Sequence, residues 1–378
     1  MARGGPDGAV GGEVLPGAPR AGRHRGEGRS GQCSHWAWLA LPALLIAAAG
    51  CGGRDRQPIL MAAGSYGDIA VCLSSPGLEP AVAPGLARFN PPVTFVIKDE
   101  PTYKIDVFAG DDWRFGRDYK NLLLLVNWAD GGPVVKALEK LLPEAERQRL
   151  RAGGGGLAQF NDPFAGDQFA VLVAAGDRNT LASLLNRNAE RLHGLFETSA
   201  HERLRRQQAR EGIQDGLVTK YWREHRFLIS LPLAYRVSQD QPGGFPGVEW
   251  TRTGPTRGLT LAWEHADDPV AALADRDRLL ALRRRLGERM HKETIDDQVL
   301  EWSPTRLGEL PAVRLTGAWN GAGVEGGGPF WSYFVADPEG RRVFCLDLLA
   351  YAPGMDKMPL FREMLAVAET FALRQPQP

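Results

Sequence analysis

An apolar run near the N-terminus places the strongest constraint on this chain. From residue 36 to residue 50, every residue except Pro42 and Gly50 is Trp, Ala, Leu or Ile. The run has 15 residues, fewer than the roughly 20 that a helix needs to cross a bilayer. Arginines precede it at positions 20, 23, 25 and 29, and small residues end it. A basic region, an apolar region and a small-residue site, in that order, are typical of a secretory signal.

The cysteine after this run indicates the type of signal. Ala48-Ala49-Gly50-Cys51 resembles the bacterial lipobox, in which the bond before the cysteine is cleaved and the thiol carries a diacylglycerol. We therefore predict signal cleavage between Gly50 and Cys51 and lipidation of Cys51. An ordinary signal peptide or a short signal anchor is the alternative. The long leader favours a start codon assigned too far upstream, in which case residues 1 to about 22 would not be made.

The composition of the chain fits a globular protein without net charge. Hydrophobic residues make up 43% and charged residues 24% of the 378 residues, and Lys+Arg and Asp+Glu are both 45. Because the net charge is zero, the chain as a whole has no electrostatic attraction to nucleic acid. We therefore predict no nucleic-acid partner. Cys72 and Cys345 both lie in strand-like runs. In an exported chain they form either a disulfide or two buried free thiols.

Short strand-like runs alternate with fewer, longer helices. The strand candidates are β-branched or aromatic runs at 68–73, 103–108, 121–128, 167–176, 225–232, 247–253, 258–265, 312–319, 330–337 and 341–351. Helical periodicity covers about 180–211, a segment after Pro269, about 359–373 and, more weakly, 133–151. Asp177 and Asn179 are cap candidates for the first of these helices. This order favours an α+β fold with largely antiparallel sheets and long helices packed on one side.

The same pattern predicts four segments along the chain. Residues 1–50 form the leader and lipoprotein signal peptide, and 51–63 form a flexible tether. A first α+β half spans 64–215 and a second spans 216–374, and the two halves are candidates for related structures.

Motifs that often carry chemistry have unsuitable surroundings here. Residues 321–326 fit G-x-G-x-x-G, but an aromatic strand follows instead of the helix that a dinucleotide site needs, so we predict a hairpin loop. Five histidines follow the signal without a metal-binding spacing, namely His193, His201, His225, His265 and His291. Asp267-Asp268 is better explained as a helix cap than as a catalytic pair. We therefore predict no catalytic, cofactor-binding or metal-binding residue.

Arginine and tryptophan leave two alternatives open. Arginines cluster at Arg203, Arg205, Arg206 and Arg210, and again at Arg276, Arg278, Arg283, Arg284, Arg285 and Arg289. Each cluster is either a solvated helix face or a basic ridge for anionic headgroups. Trp250, Trp263, Trp302, Trp319 and Trp331 either fill the core or line a groove for a glycan or peptide.

Short motifs after the lipobox resemble one protein family, in the same order along the chain. They are AAGSYGDIAVCL, YKNLLLLV, GDQFAVLVAAGD, FLISLPLAYRVSQD, VEWTR, GGPFWSYFV and YAPGMDKMPLFREMLAVAETF. From about residue 64 to residue 371 they are similar to the bacterial lipoprotein family catalogued as domain of unknown function 4837 (DUF4837). Lys120 stands where the family pattern has arginine. The resemblance implies a lipoprotein of the bacterial envelope and supplies no activity or catalytic residues.

Together these observations predict an exported α+β protein in the bacterial cell envelope. Lipid on Cys51 anchors it to the membrane, and the body faces the periplasm or the cell surface. The predicted role is non-enzymatic binding or scaffolding, with envelope proteins or glycans as candidate partners. The alternative is an envelope hydrolase whose site assembles from residues distant in sequence. Carboxylates or a partnered histidine converging in a deep pocket would favour the enzyme, and a shallow groove would favour binding.

Overall fold

The computed structural model describes residues 60–95, 98–152, 154–241, 244–321 and 326–374. The predicted leader, the cleavage site at Gly50 and Cys51, and most of the predicted tether lie outside these residues, as do residues 322–325 of the glycine-rich motif. Contacts divide the chain into two units, Met1–Asp55 and Arg56–Pro378. Every described residue belongs to the second unit.

The described residues contain fifteen strands and nine α-helices. The strands are β1 (Asp68–Leu73), β2 (Pro92–Phe95), β3 (Lys98–Pro101), β4 (Lys104–Ala109), β5 (Asn121–Asn127), β6 (Gly156–Asn161), β7 (Phe169–Ala175), β8 (Arg236–Gln241), β9 (Gly247–Arg252), β10 (Thr256–His265), β11 (Glu293–Ile295), β12 (Glu301–Leu307), β13 (Leu310–Gly321), β14 (Gly327–Asp337) and β15 (Arg342–Tyr351). The helices are α1 (Glu79–Phe89), α2 (Trp113–Gly116), α3 (Gly132–Leu141), α4 (Glu144–Ala152), α5 (Arg178–Glu211), α6 (Asp215–His225), α7 (Pro269–Ala272), α8 (Arg276–Leu286) and α9 (Met358–Ala368).

The first sheet has the strand order β4-β1-β5-β7-β6. β1 pairs in parallel with β4 and β5, β5 pairs in parallel with β7, and β6 adds an antiparallel edge. The central strands β5 and β7 read NLLLLVN and FAVLVAA, and every residue in them is buried. Continuous apolar strands of this kind are typical of parallel sheets covered on both faces.

Helices cover both faces of this sheet. On one face, α1 and α5 pack over Ile69 and Val71. On the other face, Val134 of α3 packs in a core with Ala70 and Cys72. This arrangement differs from the prediction, which placed the helices on one side. Successive side chains of a strand point to opposite faces, so an uninterrupted apolar run has no polar face that would indicate an uncovered side.

The second sheet is antiparallel, with the order β11-β13-β14-β15-β10-β9-β8 and β12 paired to β13. Its strands alternate between two cores. In β10, Leu261 and Trp263 face the core that contains Phe361 of α9, whereas Ala262 faces the core that contains Leu282 of α8. Both faces of this sheet are therefore covered as well, and its alternation follows the period of two expected for strands.

The predicted fold class is confirmed. β2 and β3 form a separate two-stranded sheet, and nine of the twelve pairings between the described strands are antiparallel. The protein is an α+β chain whose sheets are mostly antiparallel.

The longest helix, α5, begins at its predicted cap. The Asp177 side chain accepts a hydrogen bond from the Thr180 backbone N–H at 2.9 Å, and the helix then continues for 34 residues, about 50 Å. Its first turns pack on the first sheet. Its last turns reach α9, where Gln208 Nε2 donates to the Glu363 carbonyl at 3.3 Å. The division into two related halves at residues 215 and 216 stays a prediction.

Several local predictions are also settled by the fold. The Asp268 side chain accepts from the Ala271 N–H at 2.9 Å, as expected for a cap. β13 ends at Gly321, β14 begins at Gly327, and the two strands pair in antiparallel, as the predicted hairpin requires; residues 322–325 lie outside the described residues. Cys72 and Cys345 are buried free thiols. Among the described helices, none is both long and apolar enough to cross a bilayer.

Candidate anion-binding site

A cavity of about 340 Å³ lies beside the connection between β6 and β7. α5 contributes Arg203, Arg206 and Arg210 to its lining. The β6–β7 region contributes Asn161, Asp162, Asp167 and Gln168, and the N-terminal segment contributes Met61. We call this cavity the arginine pocket. Its three arginines share a helix face because their spacing of three and four residues matches the helical period.

Arg203 forms the floor of the arginine pocket. Its side chain is 4% exposed, and its Nη1 donates to the carbonyls of Lys120 at 2.8 Å and Asp167 at 3.0 Å. Its Nη2 donates to Asn121 Oδ1. Burial lowers the pKa of Arg203, but a guanidinium group stays protonated at neutral pH. Arg203 therefore holds α5 against the start of β5 and the end of the β6–β7 loop. Both of its terminal nitrogens already donate to groups of the protein.

Two neighbouring side chains contact the carboxylate of Asp167, which lines the pocket. Tyr66 donates its hydroxyl to Asp167 Oδ2 at 2.7 Å, and Lys120 Nζ lies 3.8 Å from the same oxygen. Burial, and then the hydrogen bond to Asp167, raise the pKa of Tyr66. Tyr66 therefore stays a donor, and Lys120 Nζ also lies 5.0 Å from the centre of its ring, a cation–π distance.

The loop between β6 and β7 is held rigidly by a buried glutamine. Gln168 Nε2 donates to the carbonyls of Arg117 at 2.6 Å and Tyr119 at 2.7 Å, and its Oε1 accepts from the Phe164 N–H at 3.1 Å. Its own backbone N–H donates to Asp162 Oδ1 at 2.9 Å. These contacts fix the carboxylates of the pocket wall before any ligand arrives.

Arg206 and Arg210 are the available cations of the pocket. Both are exposed, and no carboxylate in the described part of the chain lies within 4.0 Å of either guanidinium group. The neighbouring Arg205 points elsewhere and pairs with Glu369 at 2.7 Å. Two adjacent guanidinium groups over a rigid polar floor are suited to bind a carboxylate or phosphate group, because their forked donors match its oxygens.

The N-terminal segment enters the fold at the same place. The Ala62 N–H donates to the Gly166 carbonyl at 2.8 Å, and the Gly166 N–H donates to the Leu60 carbonyl at 2.8 Å. Ala63 and Lys120 are likewise joined, by a 2.9 Å bond from the Lys120 N–H. Residues 60–63, the end of the predicted tether, are thus fixed to the loop that forms the arginine pocket.

A second cavity, of about 470 Å³, is lined in part by Pro163 and Phe164 of the same loop. Trp113 and Phe164 give it an aromatic wall, with ring centres 5.5 Å apart. Arg117, Lys136 and Lys140 give it cations. Positive side chains therefore line both cavities that the β6–β7 loop contributes to.

Most arginines of the second predicted cluster pair with carboxylates. Arg283 is completely buried. Arg278 and Arg285 both pair with Glu264, and Arg284 pairs with Asp297. Arg276 and Arg289 of the same cluster are exposed, so only part of the predicted basic ridge is buried or paired. The pairing could not be read from the helix, because the carboxylates come from other elements.

The tryptophans of the second half mainly fill the core. Trp250, Trp263 and Trp331 are buried in one cluster, and Trp302 and Trp319 pack against the other core of the sheet. Neither of the two cavities described above is lined by them. The core alternative is therefore favoured over the groove.

A buried histidine joins α5 to α9. His201 Nδ1 lies 3.0 Å from Glu369 Oε1, and its Nε2 lies 3.2 Å from Glu197 Oε2. Arg205 and Arg362 pair with the same two carboxylates. Burial alone would lower the pKa of His201, but the two carboxylates raise it to about 9. His201 is therefore a cation at neutral pH and ties two helices together.

This pairing predicts a loss of stability in mild alkali. The pKa of His201 is higher in the folded chain than the ordinary 6.5, so its stabilisation is complete below pH 6.5 and disappears as the pH rises through about 9. The shift corresponds to about 3 kcal/mol of stabilisation. The difference in unfolding free energy between wild type and His201→Gln, from denaturant titrations at pH 6 and pH 9.5, should shrink accordingly. A difference that is constant with pH would show that His201 is uncharged in the fold.

The comparisons with known proteins match part of the chain. The family model described as "Domain of unknown function (DUF4837)" matches residues 273–370. This segment contains α8, the strands from β11 to β15, and α9. The family resemblance is supported for this segment. No curated protein matches the sequence.

Two solved structures show low overall similarity. A crystal structure from Bacteroides thetaiotaomicron VPI-5482 at 1.50 Å resolution is 11% identical and covers 40% of this chain and 46% of its own, with a TM-score of 0.26. The structure of LpqN, involved in cell envelope biogenesis of Mycobacterium tuberculosis, is 19% identical and covers 38% of this chain and 81% of its own, with a TM-score of 0.26. The match thus spans less than half the length of the first structure. At these TM-scores neither similarity carries an argument.

Proposed function

We propose that this chain is a lipid-anchored protein of the bacterial cell envelope that binds a phosphate-bearing ligand in the arginine pocket without transforming it. The observation that carries this proposal is the pair Arg206 and Arg210, which are exposed beside the fixed polar floor and have no carboxylate partner among the described residues. The proposal extends the family resemblance from residues 273–370 to the whole of the mature chain.

The predicted anchor and the pocket lie close together along the chain. Met61, which lines the pocket, is ten positions after Cys51. Even a fully extended chain of that length spans at most about 35 Å. With lipid on Cys51, the arginine pocket would therefore stay within that distance of the membrane surface, where lipid headgroups and envelope glycans carry phosphate.

The cavity lining favours binding over hydrolysis. Three of its side chains, those of Asp162, Gln168 and Arg203, are already fixed by hydrogen bonds to the backbone. The histidine–carboxylate cluster at His201 lies between α5 and α9 and does not line this cavity. The alternative of an envelope hydrolase therefore gains no support from that cluster.

Removing the two available cations should weaken binding to anionic membranes. We expect residues 56–378 carrying Arg206→Gln and Arg210→Gln to bind phosphatidylglycerol-containing vesicles about 30-fold more weakly, since each cation near such a surface contributes about 1 kcal/mol. Vesicle sedimentation at low salt measures this change. The affinity of the unaltered fragment should also fall as salt is raised, because exposed charges are screened.

A matched control exists on the same helix. Arg187 and Arg191 are exposed on α5 and lie outside the cavity lining, so Arg187→Gln with Arg191→Gln removes the same charge without touching the pocket. A titration with inorganic phosphate forms the second arm. Weakening in both arms assigns the ligand to a phosphate group as such, and weakening with vesicles alone assigns it to the lipid surface. Equal binding by the pocket variant and the control variant would contradict the proposed function.

A further inference from the structure

A row of polar side chains crosses the second sheet. Strand register aligns Ser332 of β14 with Asp347 of β15, Asp347 with Thr260 of β10, Thr260 with Glu249 of β9, and Glu249 with Gln239 of β8. Directly paired residues of antiparallel strands point to the same face. This row lies on the face that packs against α8, amid apolar neighbours, and burying such groups is costly unless they are compensated.

α8 and the segment after it bring three more polar groups over the row. A π-helical turn spans Gly287–His291, and Lys292 follows in the left-handed region with φ of 54°. This reversal turns His291 and Glu293 toward the sheet, where Arg283 of α8 also lies. Gln239 Nε2 holds this π-helical turn against β8 by donating a hydrogen bond to the Met290 carbonyl at 2.6 Å.

Arg283 bridges two of the carboxylates. Its Nη2 donates to Glu293 Oε1 at 2.7 Å, and its Nε donates to Asp347 Oδ1 at 2.9 Å. The second oxygen of Asp347, Oδ2, is buried without a hydrogen-bond partner. A completely buried carboxylate oxygen without a donor is costly, and this oxygen is thus one open ligand position.

His291 is oriented by its own carboxylate. Its Nδ1 lies 3.2 Å from Glu249 Oε1, and its Nε2 lies 3.0 Å from Thr260 Oγ1. When Nδ1 carries the proton and donates it to Glu249, Nε2 keeps its lone pair. A carboxylate that fixes the tautomer in this way is the usual partner of a metal-binding histidine.

The charges of the cluster do not balance by themselves. Glu293 and Asp347 pair with a single guanidinium group, that of Arg283, and Glu249 pairs with His291, so the carboxylates of the cluster are in surplus over its guanidinium group. Buried charges without compensation are strongly unfavourable. One ligand atom from each of His291, Glu293 and Asp347 lies within 4.8 Å of the others, and a divalent cation among them would match the surplus.

We propose that His291, Glu293 and Asp347 form a binding site for one divalent transition-metal ion. An imidazole nitrogen with two carboxylate oxygens favours Zn²⁺ or a similar first-row ion over Mg²⁺ and Ca²⁺, which prefer oxygen ligands alone. Arg283 keeps one oxygen of each carboxylate, which leaves the other oxygen for the ion. Glu249 is a positioning residue that acts through His291. The prediction from sequence that the chain has no metal-binding residue would then be revised.

The test is metal binding by the full chain in detergent, stripped of metal with a chelator. Equilibrium titration with Zn²⁺ should give one high-affinity site, and Zn²⁺ should raise the melting temperature by mass action. His291→Gln should weaken Zn²⁺ binding at least 100-fold. Glu249→Gln leaves the three ligands in place and should weaken binding roughly 10- to 100-fold.

His265→Gln is the matched control, because His265 is 66% exposed in its side chain and lies outside the cluster. It should bind Zn²⁺ as the wild type does. Should His291→Gln fail to fold, the titration of the wild type and of Glu249→Gln decides. Absence of stoichiometric Zn²⁺ binding by the wild type, an unchanged affinity in Glu249→Gln, or tighter binding of Mg²⁺ than of Zn²⁺ would each overturn the proposal.

Discussion

A Cys51→Ser variant is expected to lose lipid labelling completely. The thiol of Cys51 is the predicted attachment atom for diacylglycerol, and a serine hydroxyl does not replace it in the lipobox. Since lipid attachment precedes cleavage in this type of signal, the variant should also keep the mass of the unprocessed chain. Metabolic labelling with a radioactive fatty acid, followed by mass spectrometry of the purified protein, measures both effects.

Cys33 provides the matched control for this variant. It lies in the leader before the apolar run and has no lipobox around it, so Cys33→Ser should be labelled and processed as the wild type is. The consequence for anchoring is large because each buried methylene of an acyl chain contributes about 0.8 kcal/mol, and two or three chains hold a protein durably. Labelling that persists in Cys51→Ser would refute the lipobox and with it the proposed location.

Replacing Arg283 by methionine should be the most destabilising single change in the described body of the protein. Arg283 is fully buried, pairs with Glu293 and Asp347, and lies 4.3 Å from the ring centre of Phe330. Its removal leaves two buried carboxylates without their cation, which costs about 3–5 kcal/mol. This is a large part of a typical unfolding free energy of about 5–15 kcal/mol. Denaturant unfolding in the presence of a chelator measures the loss without a contribution from bound metal.

Arg284, the next residue along the chain, provides the matched control. Arg284 also pairs with an aspartate, Asp297, but both side chains are about half exposed, at 49% and 55%. Because exposed ion pairs contribute about 0–1 kcal/mol, Arg284→Met should cost little. The triple variant Arg283→Met, Glu293→Gln, Asp347→Asn should recover part of the stability, since it removes the charges that were left unpaired. Equal losses for Arg283→Met and Arg284→Met would contradict the buried ion-pair network.

Local patterns were sufficient for the helices and for the fold class. Apolar residues at helical spacing after Asp177 predicted α5, and its cap and its end at Glu211 follow that pattern closely. The β-branched or aromatic runs at 258–265 and 341–351 likewise predicted strands, which are β10 and β15. The parallel pairing of β1, β4, β5 and β7 was not predicted, because fully apolar strands look the same whether their neighbours run parallel or antiparallel.

The burial of individual arginines could not be predicted from the sequence. Arg203 and Arg206 are three residues apart on one helix, yet the first is buried by carbonyl acceptors from β5 and the β6–β7 loop and the second is exposed. Similarly, Arg283 is buried and Arg284 is not. The partners that decide this difference lie up to 83 residues away in the chain, so no local pattern contains them.

The sequence by itself determined the order of basic leader, apolar run and cysteine, the helical periodicity of α5, and the α+β class, because each depends on neighbours along the chain. Only the tertiary structure decided which charges are available and which are paired. Strand register placed Gln239, Glu249, Thr260, Asp347 and Ser332 in one row, and helix packing placed Arg206 and Arg210 beside the point where the N-terminal segment enters. Both arrangements arise from contacts between distant segments, whose alignment is set by the burial of whole faces.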